Sequence, residues 1–188
     1  METIVLASGS PRRRELLTLA GIPFEISAAE VDERCDEPAS SAVRILSARK
    51  ALAVRNMIPN RFILAADTLV ELEGVSLGKP SSPEEAAAML RRLSGRTHHV
   101  HTGVTVISPA GGILTDADCS DVAFGGIPEA EILSYVRSGE PLDKAGAYAL
   151  QGRASLWIRR LEGSYSSVIG LPLYLVRTLL LRAGYMFD

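Results

Sequence analysis

The sequence predicts an α/β or α+β fold, a mixed β-sheet flanked by helices in one domain or one domain with two lobes. The expectation rests on short apolar runs fit for buried strands, notably Ile4-Val5-Leu6-Ala7 and Phe62-Ile63-Leu64-Ala65-Ala66, set among helix-length segments. It also rests on recurring hairpin signals at Gly74, Gly111-Gly112 and Glu162-Gly163-Ser164, which break strict strand–helix alternation and argue against a doubly wound parallel sheet. Apolar residues make up 47% of the 188, enough for a sizeable core and too many for disorder.

Each element follows from local chemistry. The run at Ile4 meets a Ser8-Gly9-Ser10 turn, and Pro11 stands where a first helical residue would, with Ser10 as a natural N-cap. That helix should stop at Gly21, with Pro23 just beyond. Phe24 to Ser27 reads as a short strand, and the polar, acidic stretch from Glu30 to Ser41 is too long for a tight turn. A long helix from about Ser41 to Met57 ends before Pro59. The run from Phe62 to Ala66 reads as a central strand with Asp67 at its end, followed by a hairpin from Leu69 to Leu77. Ser82-Pro83-Glu84-Glu85 is a strong helix start, and that helix should run to Leu93 and end at Gly95. Thr97–Ser108 and Ile113–Phe124 read as strands, and Pro128–Val136 as a helix. Leu156–Leu161 and Tyr165–Val168 read as a hairpin, and Pro172–Ala183 as a closing helix.

Composition excludes whole classes of function. A net charge of −2 gives no global basic field, so no specific nucleic-acid partner is expected and any polyanion site must be local. No apolar run reaches the length of a membrane span, and no signal-peptide order appears at the N-terminus, so a soluble cytoplasmic protein is expected. Cys35 and Cys119 are isolated, which argues against a disulfide framework or a structural zinc of finger spacing. Of the 20 basic residues only Lys50, Lys79 and Lys144 are lysines, each beside small or turn-forming residues. A compact ammonium behaves as a point charge toward phosphate.

The chemistry-bearing candidates each have a plainer alternative. Arg12, Arg13 and Arg14 crowd the first turn of a helix, the end that already carries positive partial charge, at a cost of about 0.3–1 kcal/mol each. A bound anion would reverse that sign, whereas the plain alternative is solvated arginines held by Glu15. Asp67, leaving an apolar strand, is a candidate base or metal ligand or else a turn cap. Asp32 and Glu33 are ordinary Mg²⁺ ligands and equally ordinary loop residues. Gly78-Lys79-Pro80 is not a P-loop, and no dinucleotide fingerprint occurs. On a strand His99 and His101 share a face while His98 points away, so a single three-histidine metal site is awkward. Asp116-Ala117-Asp118 offers a phosphoaspartate nucleophile only after a short strand without the usual small-residue turn. Gln151, in a run of small residues after Asp143-Lys144, can present a donor and an acceptor to a base edge or simply face solvent.

Taken together, Leu6-Ala7-Ser8-Gly9-Ser10-Pro11-Arg12-Arg13, Val31-Asp32-Glu33, Ala48-Arg49-Lys50-Ala51, Ala66-Asp67-Thr68, Gly78-Lys79-Pro80, Ser94-Gly95-Arg96-Thr97-His98, His101-Thr102-Gly103-Val104, Asp143-Lys144-Ala145-Gly146-Ala147-Tyr148 and Gly163-Ser164-Tyr165 through Pro172 resemble the Maf family of nucleoside triphosphate pyrophosphatases over nearly the whole chain. The resemblance implies a single 1–188 domain with two lobes around a central cleft. It implies hydrolysis of a nucleoside triphosphate to the monophosphate and pyrophosphate, with dTTP and UTP as substrates of the matching branch. Asp67 looks like the proton acceptor; Arg12, Thr68 and Gln151 match positions tied to substrate choice; Lys50 and Lys79 match the remaining pocket, joined by Ser8 and Arg13. Glu33 and Asp67 would hold Mg²⁺ or Mn²⁺, and a homodimer is left open. A Gln amide suits the N3–H and O4 of uracil, though flipped it suits cytosine. The rival from another class is a nucleotide-binding regulator of division without turnover.

Overall fold

The structure, a computed structural model, describes residues 1–187. Its strands are β1 (Ile4–Leu6), β2 (Phe24–Ile26), β3 (Ile63–Leu72), β4 (Val75–Leu77), β5 (Thr97–Ile107), β6 (Ile113–Phe124) and β7 (Ile158–Glu162). Its helices are α1 (Pro11–Leu19), α2 (Ala39–Met57), α3 (Pro83–Leu93), α4 (Glu129–Arg137), α5 (Tyr165–Ile169) and α6 (Leu173–Arg182), with short 3₁₀ turns at Glu140–Asp143, Ala145–Ala147 and Arg153–Trp157. The strands form one mixed sheet of order β2-β1-β3-β5-β6-β7, to which β4 adds by pairing with β3. β1 is parallel to both β2 and β3, and every other pairing is antiparallel.

Two cores form at opposite ends of the long central strands. One packs α1 and α6 against β1 and the first half of β3 through Leu17, Leu64, Val104 and Leu179. The other packs α3 and α4 against the far halves of β3, β5 and β6 through Leu90, Phe124, Tyr135 and Trp157. These are the two lobes, and the same sheet runs through both. A smaller cluster seats α2 on the opposite face through Ala51, Val54, Ile63, Ala65 and Ile107.

Two sequence expectations need correction. The strand and hairpin read separately around Asp67 are one continuous strand, so Asp67 sits in the middle of β3 rather than at its end. The reason lies in its neighbour: β5 pairs with β3 without interruption from Ile63 to Glu71, and the Asp67 backbone is held opposite Gly103. Tyr165–Val168 is not a strand but the short helix α5. Ser164 caps it by accepting the Ser167 N–H at 3.3 Å, and Gly170 closes it in the left-handed region. Leu156 correspondingly falls in a 3₁₀ turn and β7 begins at Ile158. Ser10 does stand at the N-cap of α1 but makes no side-chain cap bond.

One glycine sets the spacing between helix and sheet. A Cβ on Gly103 would lie 2.1 Å from the Val43 carbonyl oxygen of α2, so only glycine lets the helix backbone cross β5 this closely. Gly103→Ala is therefore expected to destabilise the fold by about 3 kcal/mol, the cost of overpacking against unyielding backbone. Gly126→Ala, with open space around the new Cβ, should change little. Urea unfolding of the two variants checks the contrast.

Candidate active site

β3 exposes a gap along one edge. On that edge β1 pairs only with Ile63 and Leu64, and β4 pairs only from Val70 onward, leaving Ala65 to Leu69 without a strand partner there. The loop from β1 to α1 flanks one side of the gap, and the segment after β4, carrying Gly78 and Lys79, flanks the other. Consecutive residues of a strand point to opposite faces. At an open edge both faces can still serve one cleft, which is how Asp67 and Thr68 come to share it.

Asp67 is buried, 7% exposed, on the face covered by α2. An ionised carboxylate in such a place needs a partner, and the Lys50 ammonium of α2 donates to it. The same ammonium lies 2.7 Å from a Glu33 carboxylate oxygen, so one cation joins two acids. Hydrogen bonding to Lys50 holds the Glu33 carboxyl below its usual range, with the charges of Lys50, Lys79 and Arg13 acting in the same direction. Arg49, next to Lys50, secures the acidic loop by donating to the carbonyls of Asp32 at 3.1 Å and Arg34 at 2.8 Å. The Asp32 carboxylate faces away from this junction and takes a two-pronged bond from Arg34.

On the other face Arg13 fills the space beneath the opening loop. It donates to the Gly170 carbonyl at 2.8 Å, to Ser8 Oγ at 2.9 Å and to Thr68 Oγ1 at 3.4 Å. Thr68 Oγ1 lies 3.0 Å from Thr102 Oγ1, which in turn donates to the Ser167 carbonyl at 2.9 Å. Burial lowers the Arg13 pKa; Asp67 and Glu33 act against that and Arg12 adds to it. The arginines are thus not held by Glu15, the plainer expectation. Arg13 is spent on tying the loop to the end of α5, whereas Arg12 and Lys79 make no hydrogen bond or ion pair among the described residues. Arg12 also bears electrostatically on Tyr135 and Asp143 of the other lobe. Gln151 is exposed and bonds to none of the other candidates. Its segment crosses between lobes, however: Tyr148 belongs to one core and Leu150 packs against the other.

The remaining candidates lie elsewhere. Asp116 is in the middle of β6, engaged by Arg44 at 3.1 Å and by its neighbour's N–H at 2.8 Å, which is no nucleophile's position. His98 is buried against Phe124 and Tyr148, its pKa pulled down to about 4 by that burial. It faces away from His99 and His101, as the strand period requires. Sequence reasoning missed the Thr102 relay and the anchoring role of Arg49. Both stood inside motifs already singled out, but a relay across strands is visible only in the register.

The fold is of an α/β class shared with solved structures. The Ham1 protein of Staphylococcus aureus superposes with a TM-score of 0.56 over 96% of this chain and 99% of its own, at 15% identity. The family model described as Maf-like protein matches residues 3–183, and the chain belongs to the Maf family. A dTTP/UTP pyrophosphatase of Geobacillus sp. (strain WCH70) is 49% identical over 92% of this chain and 94% of its own. One of Pelotomaculum thermopropionicum (strain DSM 13744 / JCM 10971 / SI) is 47% identical over 98% of both.

The Glu33 contact carries a pH dependence of determinate sign. Its folded pKa lies below the unfolded one, so the contact stabilises fully above the ordinary glutamate value of 4.5 and is lost as pH falls through the folded value. Amide protection factors in the loop around Glu33, taken relative to intrinsic exchange at each pH, should fall on acidification below that point. In Glu33→Gln the loop should exchange faster already at neutral pH, with a smaller acid step.

Proposed function

We propose that this chain hydrolyses dTTP and UTP to the monophosphate and pyrophosphate, with residues 1–188 acting as one catalytic domain. The observation that carries the reading is the junction at the open edge of β3, where Lys50 joins Asp67 to Glu33, with Arg13 bearing on both carboxylates and Lys79 on Glu33. The names of the relatives at 47–49% identity supply the substrate class and favour an enzyme over a nucleotide-binding regulator.

The chemistry follows from the charges. The unpartnered Arg12 and Lys79, with Lys50, would grip the triphosphate and stabilise the charge that develops on the departing pyrophosphate. The first N–H groups of α1, without a side-chain cap and without acidic residues in the first turn, add donors at the same end. Asp67 would take the proton of the attacking water as the water oxygen bonds to the α-phosphorus and the bridge to the β-phosphate breaks. Buried beside a counter-ion and held in an unbroken strand, its carboxylate is fixed in place for that transfer. Gln151, on the segment bridging the lobes, would read the pyrimidine edge, and Thr68, held by Arg13 and Thr102, would help set substrate choice.

Glu33 and Asp67 also fit Mg²⁺ or Mn²⁺. Two carboxylates converging on one cation form the hard oxygen set such ions take while sharing themselves with phosphates. When bound, the ion would neutralise triphosphate charge and acidify water.

Asp67→Asn separates catalysis from binding. Nucleotide affinity should stay within a few-fold, while pyrophosphate release falls by about 10²–10⁴, the range for losing a positioned base. Fluorescent-nucleotide titration and pyrophosphate assay read the two quantities; unchanged turnover removes Asp67 from the mechanism.

A further inference from the structure

α2 covers only part of its face of the sheet. It lies over Asp67, Gly103 and Thr105, where Ser47 Oγ meets Thr105 Oγ1 at 2.9 Å. Beyond it the same face continues along β3, β5 and β6 and carries a cluster that the catalytic reading does not use. Register places His99 directly opposite Asp121, and His101 directly opposite Cys119. The donor atoms of His99, Cys119 and Asp121 all lie within 4.8 Å of one another. His99 Nδ1 is already 2.6 Å from an Asp121 carboxylate oxygen. His101 stands beside them, its ring centroid 6.2 Å from that of His99 and its Nε2 3.3 Å from a Glu71 carboxylate oxygen. Asp121, Asp118 and Glu71 all bear electrostatically on the Cys119 thiol, so the surroundings favour a cation.

We propose that His99, Cys119 and Asp121 form a site for a zinc-class transition-metal ion, separate from the oxygen-lined cleft. The donor set decides the class: an imidazole and a thiolate select zinc or its neighbours over Mg²⁺, which takes oxygen. Tetrahedral zinc with bonds of about 2.0–2.3 Å holds its donors about 3.3–3.8 Å apart, within reach of small side-chain rotations here. Binding releases the thiol proton to solvent and leaves a fourth position for water. The site staples β5 to β6 on the half of the face that no helix protects. Glu71, at its margin, stands four residues along β3 from Asp67, roughly 13 Å away. The site is therefore a stabilising element and not a part of the hydrolytic centre.

The test uses the full chain with Asp67→Asn and Glu33→Gln in place, so that the cleft carboxylates do not compete. Chelator-stripped protein is titrated with Co²⁺, Zn²⁺ and Mg²⁺ in turn. Co²⁺ should give a thiolate charge-transfer band in the near ultraviolet at one equivalent. Zn²⁺ should slow alkylation of Cys119 at least tenfold while leaving Cys35 unchanged, and raise the melting temperature; Mg²⁺ should do neither. Cys119→Ser should abolish the band, and His99→Ala should weaken Co²⁺ binding at least tenfold. Absence of the band, or equal alkylation of Cys119 with and without Zn²⁺, overturns the site. Both of those measurements use unsubstituted Cys119 and His99, so a variant that fails to fold does not shield the proposal.

Discussion

The ion pair between Lys50 and Asp67 is the constraint around which this molecule is arranged. A carboxylate placed inside a sheet, under a helix, is costly to ionise unless a cation reaches it from the same dry region. A lysine on α2 can do so only if the helix lies close. Gly103, the register partner of Asp67, supplies that closeness by leaving out the Cβ that would strike the Val43 carbonyl. Val43, Ser47, Lys50 and Val54 recur at helical spacing along the face of α2 turned to the sheet, so the residues that bury the helix also aim the ammonium. The junction of Lys50, Asp67 and Glu33 and the helix–sheet contact are thus one packing solution.

From that junction the charges are graded outward. Buried Asp67 and exposed Glu33 are paired through Lys50, Arg13 is committed to three fixed acceptors, and the exposed Lys79 and half-exposed Arg12 keep their donors free. On the function proposed above, a phosphate chain would meet these free cations without first breaking an internal bond, so little of its binding energy would be lost to rearrangement. The acidic balance of the whole chain does not oppose this, since charges more than about 10 Å away are screened at ordinary ionic strength. Local order, and not net charge, would make the proposed polyanion site.

Much of this was legible in the residues. Caps and breakers placed the helices well: Ser82 accepts the Glu85 N–H at 3.2 Å as the capping pattern implies, although the Glu85 carboxylate turns to Ser81 instead of back to Ser82. The candidate residues from the opening segment, α2 and β3 meet in the structure because motif order carries positional information. The misreadings share a cause. Asp67 was read as a strand end because an acid after five apolar residues breaks the hydrophobic pattern, yet backbone pairing with β5 is indifferent to side-chain polarity. Tyr165 to Val168 has strand-like residues, but Ser164 and Gly170 supply both helix caps, and local capping outweighs propensity over so short a segment. The commitment of Arg13 was invisible because its acceptors lie up to 157 residues away.

The continuity of the sheet also limits how the cleft can respond to a ligand. β3, β5 and β6 each pass through both cores, and β5 pairs with β6 from Thr97 to Ile107 without a bulge. Opening the lobes as rigid bodies would bend those ladders and strain buried hydrogen bonds, a cost spread over every paired residue. The low-cost adjustments lie in segments outside the ladders: the acidic loop before α2, the stretch around Gly78 and Lys79, and the 3₁₀ turns around Gln151. The loop before α2 is fastened mainly by Arg49 and Lys50. The stretch after β4 is fastened by the Gly146 N–H bond to the Gly78 carbonyl at 3.1 Å at one end and by Ser81 and Ser82 on Glu85 at the other, with no hydrogen bond on Lys79 between them among the described residues. The sheet therefore fixes the distance between Asp67 and the N-terminal end of α1, while these surface segments lie outside its ladders. On the function proposed above, the chemistry that depends on geometry would fall to the laddered part of the molecule, and recognition of the base to segments outside it.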